Sequence, residues 1–286
     1  MSRIGVNPLH NTKMAQPPLV SLCVLAHQGD GEYDKEKLWV TDLCLTSMLR
    51  GYGNNLMAEL IIWNNGSSQE FEDMLRDRAP DVYVNSYNQG CESGIKNMFS
   101  IARGKYLAYT DDDIFFYPGW FEQQMEVLTT YPNVASVSGS PMRGNIRHYF
   151  NQDTIEWARS NAYLQVGKLM PEQWRIDAYN SITYGRDEGS RKLYDERNNV
   201  GDDYLISYKG VRAWAHGHHM QFLCEKDVMA PFRKASYKYM DSPRMREKAM
   251  AEAGLMRLTT YERTCRHIGN HIDADIRALA QEYGYL

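Results

Sequence analysis

The chain has 286 residues, 43% of them apolar and 24% charged, with a formal net charge of −4. That length allows one or two domains with a sizeable core, and the slight acidity excludes a global attraction to nucleic acid or anionic lipid. No apolar stretch is long enough to span a bilayer, the start lacks the order of a signal peptide, and the scattered Cys23, Cys44, Cys91, Cys224 and Cys265 read as reduced thiols of a cytoplasmic protein.

Residues 1–18 are polar, carry three prolines and predict a mobile arm. The apolar run 19–26 ends at His27-Gln28-Gly29-Asp30-Gly31, as a buried strand entering a turn does. Helical spacing of Leu38, Val40, Leu43, Leu45, Met48 and Leu49 predicts a helix over 37–49. A second strand over 59–63 stops at Asn64-Asn65-Gly66-Ser67-Ser68. A helix over 70–78, a strand over 81–85 and a helix over 94–103 follow, and then a strand over 105–110 that runs into Asp111-Asp112-Asp113. Residues 133–138 read as one more strand.

Strands alternating with helices imply parallel β-α-β units, whose ligands collect beyond the carboxyl ends of the strands. The loops 27–31, 64–68 and 111–113 would then share one sheet edge. Residues 143–200 mix aromatics (Tyr149, Trp157, Tyr163, Trp174, Tyr179, Tyr184) with charges, as an inserted region of short helices would. Those rings suit either a core or a sugar face. Residues 186–192 read as a loop, solvated or closing as a lid. A helix is expected from Gly201 towards Ala215 with Gly217 as its C-cap, then a strand over 219–223, and helices over 242–258 and 273–283. The chain divides accordingly at 1–18, 19–140, 141–232 and 233–286, the last as a helical extension.

Three adjacent carboxylates resist joint ionisation unless a cation compensates them. Oxygen ligands of this kind suit Mg²⁺ or Mn²⁺, which keep positions open for phosphate oxygens. The alternative is a solvated acidic turn that caps the next segment, although the flanking apolar strand and Ile114-Phe115-Phe116-Tyr117-Pro118-Gly119-Trp120 argue against a plain surface turn.

The order of these segments resembles family 2 and related glycosyltransferases of the GT-A fold. The likeness is carried by Val20-Ser21-Leu22-Cys23-Val24, by residues 59–68, by Asn88-Gln89-Gly90, Lys96-Asn97 and Ala102-Arg103-Gly104-Lys105-Tyr106, by the Asp-x-Asp-like triplet, and by Pro118-Gly119-Trp120-Phe121. The resemblance implies a Rossmann-like nucleotide-sugar-binding α/β fold with a mostly parallel central sheet, the donor half over 19–140 and an acceptor-side half over 141–232. It implies donor contacts from Ala26, His27, Asn64, Asn65, Lys96, Asn97, Asp111 and Asp112, with Asp111 and Asp113 at the cation. Unlike many relatives, the chain has no acidic residue near Trp63-Asn64; a UDP-sugar donor is favoured, with a GDP-sugar as the alternative.

Gly201-Asp202-Asp203 resembles the acidic motif of inverting relatives. This implies Asp203 as general base, ionised at a helix N-terminus, with Asp202 beside it. The other reading is helix capping by both. The run His216-Gly217-His218-His219 lacks a third zinc ligand at an obvious spacing. His267 is the better metal ligand, because similar enzymes return a C-terminal histidine to the cation; a histidine satisfied in a turn is the alternative. The expected activity is sugar transfer from a nucleoside-diphosphate donor to a hydroxyl of a glycan, lipid-linked sugar, protein or nucleic-acid base. Nucleotidyl transfer to a sugar phosphate and a degenerate carbohydrate-binding relative are the competing readings. The first of these is disfavoured by a 27–31 loop without Arg or Lys.

Overall fold

A computed structural model describes residues 18–53, 57–141, 152–198, 201–234 and 242–286. Most of the expected N-terminal arm and Tyr149 lie outside the described residues. The strand β1 (Val20–Ala26) is buried along its whole length. It is flanked in parallel by β2 (Ala58–Asn65) and β4 (Tyr106–Asp111), and β3 (Val82–Ser86) pairs in parallel outside β2.

The two-residue period of a strand divides the core between two faces. Val20, Leu22, Val24 and Ala26 pack with α1 (Lys37–Tyr52), α2 (Gln69–Asp77) and the start of α4 (Trp120–Thr130). Cys23 and Leu25 pack with α3 (Cys91–Ile101) on the other face. The close approach of α3 depends on Gly94, where a Cβ would lie 2.5 Å from Leu25 Cδ1. Register levels the strand ends: Ala26 lies opposite Asn64, Asn64 opposite Asn85, and Leu25 opposite Asp111.

Beyond β4 the sheet continues through β10 (Gln221–Glu225), β6 (Val134–Ser138), β11 (Met256–Thr260), β9 (Val211–Trp214), β8 (Asp203–Tyr208) and β7 (Tyr163–Gly167). Among the described strands of this sheet, β3, β2, β1, β4, β6, β11 and β8 run one way, and β10, β9 and β7 oppose them. The expected α/β fold with a mostly parallel central sheet is the one found. A separate antiparallel pair joins β5 (Ile114–Phe116), just after the aspartates, to β12 (Cys265–His267).

The second half departs from the sequence reading in three places. Residues 201–215 form the β8–β9 hairpin instead of a helix, and Gly217 lies in the following loop instead of capping one. The turn is Lys209-Gly210, both at positive φ (50° and 84°), the two-residue hairpin geometry that favours glycine. The helix expected over 242–258 is α9 (Ser242–Glu252); Gly254 (φ 71°) ends it, and the chain enters β11, inside the sheet between β6 and β9. Residues 186–192 are largely helical, because α7 (Glu188–Asn198) starts there, with Asp187 Oδ1 accepting from Ser190 N at 3.0 Å. The remaining helices are α5 (Gln152–Asn161), α6 (Glu172–Thr183), the short α8 (Lys226–Met229) and α10 (Ala274–Glu282).

Candidate active site

The loops after β1, β2, β3 and β4 meet on one edge, and asparagine and serine side chains tie them together. The buried Asn64 donates to Asn85 Oδ1 at 2.9 Å and accepts from Ser67 Oγ at 2.6 Å. Asn65 Oδ1 accepts from Gln89 N at 3.0 Å, and Ser67 Oγ also accepts from Gln28 N at 3.0 Å. These two asparagines therefore bind the loops of this edge to one another. The backbone N–H of His27 donates to Asp112 Oδ2 at 3.0 Å, its Nε2 lies 3.4 Å from Asn88 Nδ2, and its Nδ1 is buried with no partner among the described residues. Ala26 is buried at the end of β1.

The three aspartates do different things. Asp112 points inward: Oδ1 is 2.7 Å from Lys37 Nζ, and Oδ2 accepts from Thr41 Oγ1 at 3.2 Å as well as from His27 N. Both of its oxygens are engaged within the protein. Asp113 Oδ2 is 3.2 Å from His267 Nε2 and 4.0 Å from Lys37 Nζ, while Oδ1 is buried without a hydrogen-bond partner. Asp111 accepts the Tyr109 hydroxyl through Oδ1, and its N–H donates to Met220 O at 2.8 Å.

Electrostatics separates them further. Burial, with Asp113 second, pushes the Asp111 carboxyl well above the ordinary range, and burial raises Asp112 against the pull of Lys37. At Asp113 burial acts the same way but is outweighed by His267 and Lys37, which hold it below the usual range. Asp113 is thus the member kept anionic, with one oxygen left open.

Its partner arrives from 154 positions along the chain. Pairing of β12 with β5 sets His267 opposite Ile114, and Ile268 N donates to Asp113 O at 2.9 Å. Ser181 Oγ on α6 lies 2.9 Å from His267 Nδ1, leaving Nε2 to Asp113. Lys37 was not anticipated from sequence. It starts α1, is 5% exposed, and also donates to Asn270 Oδ1 at 2.9 Å. A cation at a helix N-terminus opposes the macrodipole, and that was the available signal.

A second polar group lies at β8 and β9. Asp203 is 3% exposed, and its Oδ2 accepts from Leu169 N and Met170 N, both at 2.8 Å. It begins a strand, so backbone N–H groups, and no helix N-terminus, hold its charge. Asp202 is exposed. His216 Nδ1 is 3.2 Å from Thr259 Oγ1 and its Nε2 is buried without a partner, with Asp203 and Arg257 near enough to act on its charge. Burial, then His219 and His267, keep His218 neutral far below the ordinary imidazole value. Lys96 is exposed and Asn97 half-buried on α3, and neither makes a side-chain hydrogen bond to the strand-end loops among the described residues.

Among the described residues no set of three or more His, Cys, Asp and Glu side chains is arranged as a complete metal cage. The open Asp113 Oδ1 beside His267 Nε2 nevertheless fits a partial one: two protein ligands, with further positions for the oxygens of a bound molecule.

Residues 41–188 match the model of glycosyl transferase family 2. An uncharacterized glycosyltransferase of Rickettsia prowazekii (strain Madrid E) is 30% identical over 121 residues, which is 41% of this chain and 34% of the relative, so the chain spans about a third of that protein. Among solved structures, glucosyl-3-phosphoglycerate synthase from Mycobacterium tuberculosis, in complex with Mg²⁺ and UDP, is 14% identical with a TM-score of 0.33, over 42% of this chain and 43% of that one. A mannosyltransferase from Pyrobaculum calidifontis, in complex with GDP-Man and Mn²⁺, is 11% identical with a TM-score of 0.46, over 86% of this chain and 55% of that one. The family match covers more than half of the chain, which belongs to glycosyl transferase family 2.

Proposed function

We propose that the chain transfers a sugar from a nucleoside-diphosphate donor to a hydroxyl acceptor, with a divalent cation, Mn²⁺ or Mg²⁺, held at Asp113 and His267. The observation that carries this is the buried, unpartnered Asp113 Oδ1 at the strand edge, 3.2 Å on its other oxygen from His267. A buried acceptor of this kind is costly unless a ligand completes it. The cation would stabilise the charge that develops on the departing diphosphate.

The protein's own groups divide the remaining work. Lys37 and Thr41 hold Asp112 inward and fix the turn from which Asp111 and Asp113 project. Asp111, with its carboxyl raised, accepts from Tyr109 and offers ribose hydroxyls a hydrogen-bonding partner. Ala26, His27, Asn64 and Asn65 shape the floor for base and ribose, with UDP favoured over GDP as the nucleotide. Asp203 takes the acceptor proton in an inverting transfer, its anion held by two backbone N–H groups and Asp202 beside it at the surface. The acceptor is a glycan or another hydroxyl compound. No helix among the described residues is long and apolar enough to cross a membrane, and the five free cysteines support a reducing compartment, the cytoplasm.

Thermal unfolding with UDP-, GDP- and sugar-linked forms, with and without Mn²⁺, tests the proposal. Ligand binding to the folded state raises the apparent midpoint. A Mn²⁺-dependent rise in the native protein, lost in Asp113→Ala, is expected. An equal rise in Asp113→Ala removes the cation from this position.

A further inference from the structure

Ser181, whose hydroxyl lies 2.9 Å from His267 Nδ1, also lines a cavity of about 280 Å³. Its wall carries two carboxylates, Asp177 and Asp273, and two guanidinium groups, Arg191 and Arg266. Asp177 also pairs with Arg263 and accepts from Gln173 Nε2 at 2.9 Å, and Arg266 stands between Asp177 and Asp273, so these charges are largely compensated within the protein. What the wall offers is hydrogen bonding of both polarities.

Arg266 sharpens that character. It is 7% exposed, its Nη2 makes only long contacts, 3.4 Å to Asp177 and 3.6 Å to Asp273, and its Nε is buried with no partner among the described residues. A buried N–H at a cavity wall calls for an acceptor oxygen. Tyr184 supplies a different surface. It stacks on His271 with centroids 4.4 Å apart and planes 3° from parallel, and both rings line the cavity. Ring hydroxyls that donate to carboxylates and accept from guanidinium, joined to a C–H face that lies on an aromatic ring, are the combination a pyranose presents. The volume suits one such ring.

We infer that this cavity is the acceptor subsite, and that it takes a neutral, hydroxyl-rich sugar ring stacked on Tyr184 and hydrogen-bonded by Arg266 and Asp177. The inference rests on the glycosyl-transfer reading, because only there does a second sugar belong beside the His267–Asp113 pair. It makes Tyr184 and Arg266 specificity residues and sets the acceptor on the Nδ1 side of His267.

The test uses the full chain with Mn²⁺ and UDP or GDP, and saturation-transfer NMR of methyl α-glucopyranoside, α-mannopyranoside and α-galactopyranoside as probes. At least one glycoside should bind. Tyr184→Ala should weaken that binding roughly five- to tenfold, the loss expected for one stacked ring. Asn180→Trp, at the exposed rim, should block it. The nucleotide-dependent thermal shift should remain in both variants, which also reports their folding. Absence of binding by all three glycosides, or unchanged binding in a folded Asn180→Trp, overturns the subsite. Loss of the Mn²⁺–nucleotide shift in the unmutated protein is a separate result that overturns the donor reading.

Discussion

The polar residues at the ends of β1 to β4 and those around β8 and β9 are both buried, but they are compensated in different ways. At the first edge the charges are many and a resident cation balances them: Lys37 bonds Asp112 and stands 4.0 Å from Asp113. One carboxylate oxygen is still left open, at Asp113. Around β8 the carboxylate of Asp203 is held by backbone N–H groups, and its neighbour His216 is held neutral. The contrast teaches that burial of a carboxylate does not by itself mark a ligand site. The feature on which the proposed cation site rests is an open acceptor oxygen beside a second possible ligand, His267, whereas the Asp203 oxygen that accepts from two backbone N–H groups can serve either the fold or a single proton.

The sharpest break in that contrast comes from Asp203→Asn. An amide oxygen still accepts from Leu169 N and Met170 N, so folding should be spared. If Asp203 takes the acceptor proton, turnover should fall by roughly 10²- to 10⁴-fold with the KM for donor unchanged. Steady-state kinetics with a transferable acceptor reads this directly. Near-normal turnover would leave Asp203 with a structural role.

Lys37→Met attacks the other region. It leaves a buried carboxylate without its cation and should cost about 3–5 kcal/mol in urea unfolding. Adding Asp112→Asn to that variant should recover most of the loss, since the stranded charge is then gone. A double variant no more stable than the single one would mean that Lys37 acts mainly through Asp113.

Acid sensitivity probes the second region. Burial, partly offset by Asp203, lowers the His216 imidazole from its ordinary 6.5 to about 4. The unfolded chain therefore takes up this proton first: the contribution is intact above pH 6.5 and is lost as pH falls from 6.5 to 4. The loss for this one group is roughly 3 kcal/mol. Denaturation midpoints measured across that interval should fall steeply, and less so in His216→Gln. A parallel profile in the variant would point to other titrating groups.

The first region was the more legible in the sequence for a physical reason. Its strands are short apolar runs, each stopped by Asn, Gly or Asp, and a parallel sheet buried on both faces writes that signal plainly. Asp113 followed from the triplet. The geometry joins His267 to it through three-residue strands, too short to announce themselves as elements. Around β8 and β9 the code is weaker. The mixed segment 201–215 reads as a helix from its composition, although Lys209-Gly210 carries the hairpin signal. The first residues of the strand Met256–Thr260 read as the end of the preceding helix because 242–258 is charged and rich in Ala and Met throughout. Lys37, Ser181 and Asn270 act through partners 75 to 233 positions away, and no local pattern encodes such pairs.

The smallest expected effect lies where the regions touch. Ser181 belongs to α6 of the second half but bonds the histidine that faces the first. Its hydroxyl fixes the ring so that Nε2 points at Asp113, and removing such an outer partner typically costs about 10- to 100-fold in metal affinity. Ser181→Ala should weaken Mn²⁺ binding near the lower end of that range, because β12 pairing still holds the His267 backbone against Ile114. Calorimetric titration of Mn²⁺ in the presence of nucleotide measures it, with Ser181→Thr as the conservative rescue. If Ser181→Ala binds Mn²⁺ as the native protein does, the ring is oriented by packing alone. The coupling between the two halves would then rest on the β5–β12 ladder, not on α6.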